Sequence, residues 1–109
     1  MLEQYLSWRN SMNTLEEILS KLSGKLSELK EEYNVRTIGV FGSYATNSYT
    51  ENSDVDILVD FEQTPDLFEF IRLKNDLSSL LEKQVDLVTR RALRKDYEDR
   101  VLCEVKYIS

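Results

Sequence analysis

Two apolar runs separated by a polar gap constrain this chain more than any other feature of it. Val35 to Phe41 is β-branched and aromatic and is stopped by Gly42, and Val55 to Phe61 has the same character, so both read as strands. Residues 42–53, GSYATNSYTENS, are small and polar and read as a loop with room for one short helical turn. Along a strand, residues two apart share a face. Asp54 and Asp56 therefore project together, while Val55, Ile57, Val59 and Phe61 project the other way, into a core. Asp60 shares the aspartate face near the far end and reads as solvated.

Thr14-Leu15-Glu16-Glu17 is a capping-box pattern. Behind it Leu15, Ile18, Leu19, Leu22, Leu26, Leu29 and Tyr33 recur at helical spacing, which predicts a helix ending near Tyr33-Asn34. Gly24 costs that helix about 1 kcal/mol relative to Ala, which the apolar contacts can carry. Thr64-Pro65-Asp66, with Glu69 three residues after Asp66, predicts a second helix with Pro65 near its first position. Leu67, Phe70, Ile71, Leu77 and Leu81 are its expected buried face. Gln84 to Thr89 reads as a third strand, and Leu93, Tyr97, Val101, Leu102, Val105 and Ile108 mark a last helix. The packing solution for this order is an α/β (α+β) fold, a small mixed β-sheet flanked by helices. A chain of 109 residues has room for one core. Residues 1–11 fall outside the pattern as an N-terminal extension, which leaves 12–109 as the domain.

The chain has no histidine and one cysteine. That removes the commonest general base and most zinc chemistry. Cys103 has no partner and reads as a packing residue in a helix. A metal centre here must use oxygen ligands, which suit Mg²⁺, Mn²⁺ or Ca²⁺. Two neighbouring carboxylates repel unless a cation sits between them, and an Asp-x-Asp pair alone is most often a wetted strand edge. Asp86 shifts that balance. It stands between Val85 and Leu87 inside a short apolar strand and faces away from both. If that strand lies beside the second, three carboxylates from two strands can hold two divalent ions about 3.5–4 Å apart. Gly42 lets backbone approach an anion, and Ser43 offers a hydroxyl and an amide where a helical turn can start. A lone Gly-Ser is an ordinary turn; Gly-Ser after one strand with Asp-x-Asp opening the next is a combination that points to metal-bound phosphate.

Gly42-Ser43-Tyr44-Ala45, followed by Ser53-Asp54-Val55-Asp56-Ile57-Leu58-Val59, resembles the minimal nucleotidyltransferases of the DNA polymerase β superfamily. The likeness continues through Leu67-Phe68, Ile71-Arg72-Leu73 and Val85-Asp86-Leu87-Val88-Thr89 to Tyr107-Ile108, and covers the chain from about Met12 onward. It implies a DNA polymerase β-like nucleotidyltransferase fold. It implies that Gly42 and Ser43 hold a nucleoside triphosphate and that Asp54, Asp56 and Asp86 bind two Mg²⁺ ions. Asp86 would also take the proton from a hydroxyl that attacks the α-phosphate as pyrophosphate leaves. Among single-domain members the chain is similar to MNT antitoxins, which are encoded beside HEPN ribonuclease toxins. That resemblance implies transfer of AMP from ATP to a tyrosine of the toxin, and a hetero-oligomer with it. Thr46 departs from the pattern, since many relatives have Arg there, and Arg72, Lys74, Arg90 and Arg91 are the candidate replacement cations.

The formal charge of −6 gives no counterion-release gain on a polynucleotide, so no direct nucleic-acid partner is expected. No apolar run approaches the roughly 20 residues that span a bilayer. Met1 to Ser11 lacks the basic start and apolar core of a signal peptide, so the expected setting is the cytoplasm without a membrane partner. Arg90, Arg91, Arg94 and Lys95 form the basic cluster, read as a solvated face or as a contact for an acidic partner. Two functions stay open: an adenylyl-transferring enzyme, and an antitoxin that neutralises by binding alone. One half of a small-molecule nucleotidyltransferase is a third reading, which lacks a second substrate domain.

Overall fold

The computed structural model describes residues 14–108, so the expected extension at 1–11 lies outside the described residues. Thr14 caps the first helix, α1 (Leu15–Tyr33), where its Oγ1 accepts the Glu17 N–H at 3.2 Å. The helix passes through Gly24 and stops at Asn34, whose left-handed backbone (φ 57°) ends it. Ile18, Leu22, Leu29 and Tyr33 form its buried stripe. β1 (Val35–Phe41), a single helical turn α2 (Gly42–Ala45) and β2 (Val55–Phe61) follow, the two strands with the bounds the sequence predicts and the turn within the predicted loop. α3 (Leu67–Leu81) begins at Asp66, whose carboxylate accepts the Glu69 N–H at 2.8 Å. β3 (Val85–Thr89), a 3-10 turn (Arg90–Ala92), α4 (Lys95–Glu104) and β4 (Lys106–Tyr107) complete the fold.

The sheet order is β3-β2-β1-β4. β1 runs antiparallel to β2 and β4, and β2 runs parallel to β3. This is the mixed sheet flanked by helices that the sequence predicts. β2 is an interior strand with both faces covered at its centre. Val55, Ile57 and Val59 join Ile18, Leu22, Leu73, Leu77 and Leu81 in the main core, while Leu58 is buried on the opposite face.

In its secondary structure and packing the sequence reading parts from the structure at four places. α4 runs from Lys95 to Glu104, so Leu93 precedes the helix, in the cap of the 3-10 turn, while Val105 and Ile108 leave the predicted helix and flank β4, which pairs with β1. Gly39 permits that pairing, because a Cβ there would lie 2.7 Å from Val105 Cγ2 and 2.9 Å from Lys106 O. In α3 the buried stripe is Leu73, Leu77 and Leu81, whereas Leu67 and Ile71 are 68% and 46% exposed. The first turn of that helix extends past the core. Pro65 precedes the cap residue Asp66 rather than lying inside the helix. Cys103 is exposed on α4 and does not pack.

The basic cluster is largely tied within its own end of the molecule. Arg90 donates to Glu98 at 3.1 Å, Arg91 to Thr64 Oγ1 at 3.2 Å, and Arg94 pairs with Asp96 at 3.5 Å.

Candidate active site

Sheet order brings the end of β1 and the starts of β2 and β3 side by side. Phe41 pairs with Asp56, and Asp56 pairs in turn with Asp86. The neighbouring strand that the sequence reading required for Asp86 is therefore present, and it runs parallel to β2. Gly42 follows Phe41 directly and has φ +72°, which an L side chain rarely adopts. A Cβ on Gly42 would fall 2.1 Å from Asp56 Oδ2. The backbone that opens the loop thus rests against the second aspartate, and only glycine fits. Ser43 occupies the first turn of α2, where amide N–H groups have no partner inside the helix.

The loop between Gly42 and Asp54 is built to hold its shape. Tyr44 is 1% exposed and stacks on Tyr49 with ring centroids 4.2 Å apart and planes 9° from parallel. Thr46 Oγ1 donates to Gly42 O at 3.1 Å and meets Ser48 Oγ at 3.0 Å. The Ser48 N–H donates to Ser43 O at 2.9 Å. Thr46 therefore closes the turn that starts at Gly42. Three of the candidate replacement cations are engaged elsewhere: Arg72 lies over the Tyr33 ring at 5.8 Å, Arg90 binds Glu98 and Arg91 binds Thr64.

Asp56 is half-buried, and Asp54 and Asp86 are exposed. Burial first, then the charges of Asp86 and Asp54, push the Asp56 carboxyl from 3.8 up to about 6, and its hydrogen bond with Asp86 acts in the same direction. Asp60 shares the aspartate face but belongs to the other end of β2. There it pairs with Arg36 at 3.5 Å, so it is tied rather than simply solvated. Arg36 also grips Glu62 through Nε and Nη2, each at 3.2 Å, which holds the Glu62 carboxyl below its ordinary range.

The donor set at Asp54, Asp56 and Asp86 fits a hard divalent cation, since it offers oxygens alone and the charges of Asp86 and Asp54 disfavour the ionised Asp56 carboxylate. Among the described residues no group of three or more carboxylate, His or Cys side chains is gathered as an ion-binding set, so the three share a face without closing a cage. Lys83 is a residue that sequence reading passes over. Its Nζ donates to Glu51 O at 2.5 Å, close to the starts of both aspartate-bearing strands. Its partner is a backbone carbonyl 32 positions away, which leaves no signal in the sequence.

Residues 19–108 match the protein family described as Nucleotidyltransferase domain. The chain is 50% identical over 98 residues to Protein adenylyltransferase MntA of Thermococcus cleftensis, a match that covers 90% of this chain and 99% of that relative. Its fold is similar to a structure described as that of a minimal nucleotidyltransferase, with TM-score 0.74, 34% identity, and coverage of 86% of this chain and 95% of that one. It is also similar to a chain in a structure of a tri-AMPylated Shewanella oneidensis HEPN toxin in complex with MNT antitoxin. That match has TM-score 0.60 and 26% identity, and covers 82% of this chain and 70% of the other.

Proposed function

The chain belongs to the nucleotidyltransferase domain family, and from that membership we propose that it is an Mg²⁺-dependent antitoxin enzyme, which transfers AMP from ATP to a tyrosine hydroxyl of a cognate HEPN toxin. One observation carries the reading: Asp56 stands in register with Asp86 while Gly42 rests against its carboxylate. That places a phosphate-suited backbone beside carboxylates from two adjacent strands.

Each residue has a role in this reading. Gly42 and Ser43 present backbone N–H groups and a hydroxyl to the triphosphate. Asp54, Asp56 and Asp86 are the residues that would hold Mg²⁺, which when bound offsets negative charge on the phosphates and on departing pyrophosphate. Asp86 is exposed and accepts the proton of the incoming tyrosine hydroxyl. The phenolic oxygen forms a bond to the α-phosphorus, the bond from that phosphorus to the bridging oxygen breaks, and pyrophosphate leaves with the electron pair. The absence of histidine leaves a carboxylate as the natural base. The toxin is both substrate and partner, and the two chains form a hetero-oligomer.

The test is incubation with α-labelled ATP, Mg²⁺ and the cognate toxin. Wild type should label the toxin, and the Asp54→Asn/Asp56→Asn variant should lose at least about a thousandfold in rate. An unlabelled toxin, or full labelling by the variant, would sink the reading. Cell protection by the double variant equal to that of wild type would instead favour neutralisation by binding alone.

A further inference from the structure

Lys83 sits where the two carboxylate-bearing strands begin. Its backbone belongs to the turn that ends α3: Glu82 has left-handed φ 53°, and the Lys83 N–H donates to Ser78 O at 3.3 Å. Directly after it, Gln84 O accepts the Val55 N–H at 2.9 Å, which starts the pairing of β2 with β3. The side chain reaches to another part of the chain, where Nζ donates to Glu51 O at 2.5 Å across 32 sequence positions.

Glu51 belongs to a turn that is already tied internally. The Ser53 N–H donates to Thr50 O at 3.1 Å, and the Thr50 N–H returns to Ser53 Oγ at 2.8 Å. The Asn52 N–H adds a bond to Thr50 Oγ1 at 3.3 Å. Asp54 follows immediately. One ammonium group therefore joins Glu51, in the turn that leads into Asp54, to Lys83, at the turn that leads into Asp86. Its acceptor matters as much as its reach. Among the described residues Lys83 takes part in no ion pair. A salt bridge to Asp54 or Asp86 would occupy a candidate ligand and would respond to its charge. A bond to a neutral carbonyl does neither, so it holds the strands together whether or not the carboxylates are occupied.

We propose that Lys83 is a positioning residue, whose clamp on Glu51 keeps Asp54 aligned with Asp86. The proposal rests on the adenylyl-transfer reading above for its catalytic part, while the clamp itself can be tested without activity. Lys83→Met, Lys83→Gln and Lys83→Arg are compared with wild type by thermal melting, by cleavage after Glu51 with a glutamate-specific protease, and by AMP-transfer kinetics. Loss of one hydrogen bond should open the Glu51 turn and speed cleavage there roughly fivefold in Lys83→Met and Lys83→Gln. Misplacement of Asp54 should lower kcat about tenfold to a hundredfold, with KM for ATP within about twofold. Lys83→Arg, which can donate to the same carbonyl, should restore both.

Unchanged cleavage in the two neutral variants overturns the clamp. Wild-type kcat in those variants overturns the positioning role, as does a raised KM at constant kcat, which would mark Lys83 as a phosphate contact. If Lys83→Met fails to melt cooperatively, Lys83→Gln decides alone. A wild type that transfers no AMP brings down the functional reading, and the protease comparison still decides the clamp.

Discussion

The Asp56 carboxyl has an ordinary pKa of 3.8 and is pushed up to about 6 in the fold, by burial and by Asp86 and Asp54. Between those values the folded chain binds a proton that the unfolded chain has released. Stability therefore falls as pH rises through that window, and above it the full destabilisation persists. Discounted for half-exposure, the effect is roughly 1–2 kcal/mol. Asp56→Asn should accordingly be about 1–2 kcal/mol more stable than wild type at pH 8 in chelator, with the gap closing by pH 3.5. Mg²⁺ should narrow the gap at pH 8 by stabilising wild type alone. Denaturant titrations at the two pH values decide it, and a gap independent of pH would refute the account. At this scale the layout of the candidate site was largely legible. Gly42, Ser43, Asp54 and Asp56 lie close in sequence, and strand alternation fixes which way the aspartates point. The adjacency of Asp56 and Asp86 was not legible, since it depends on which strand lies next to β2. Lys83 was missed because its partner is a backbone carbonyl, which no residue type announces.

α1 and α3 are each begun by a side chain that accepts an N–H three residues on, Thr14 for one and Asp66 for the other. Asp66→Ala should cost about 1 kcal/mol, a fall in Tm of about 4–8 °C. Asp66→Ser should recover most of it, and equal melting of the Ala and Ser variants would rule out the cap as the cause. Caps and apolar spacing made these helices readable, and β-branched content did the same for β1, β2 and β3. β4 left no such mark. Two residues cannot display alternation, and the pairing depends on the missing side chain of Gly39, far away in sequence. The buried face of α3 was half-readable, because apolar spacing identifies a stripe without saying where along the helix the core stops.

Over the whole molecule, apolar surface is exposed at the first turns of α3. Leu67, Phe68 and Ile71 are 68%, 83% and 46% exposed. Phe68→Ser should change unfolding free energy by less than about 0.5 kcal/mol, since there is little contact to lose. A loss above about 2 kcal/mol in denaturant titration would mean that Phe68 packs in solution. No described helix is long and apolar enough to cross a membrane.

β2 pairs with β1 across the connection at 42–54 and with β3 only after α3 has carried the chain back. Antiparallel neighbours close locally, whereas a parallel pair waits for its crossover. During synthesis the stretch from Gly42 to Asp56 is made before Asp86, and β3 can join the sheet only after α3 has formed the crossover. A growing chain therefore holds the Gly42 to Asp56 segment before it holds the proposed proton acceptor, or the α3 leucines that pack against β2. The proposed reaction becomes possible only when the crossover is complete, since a chain that stops short of Asp86 lacks a proposed Mg²⁺ ligand together with the proposed proton acceptor.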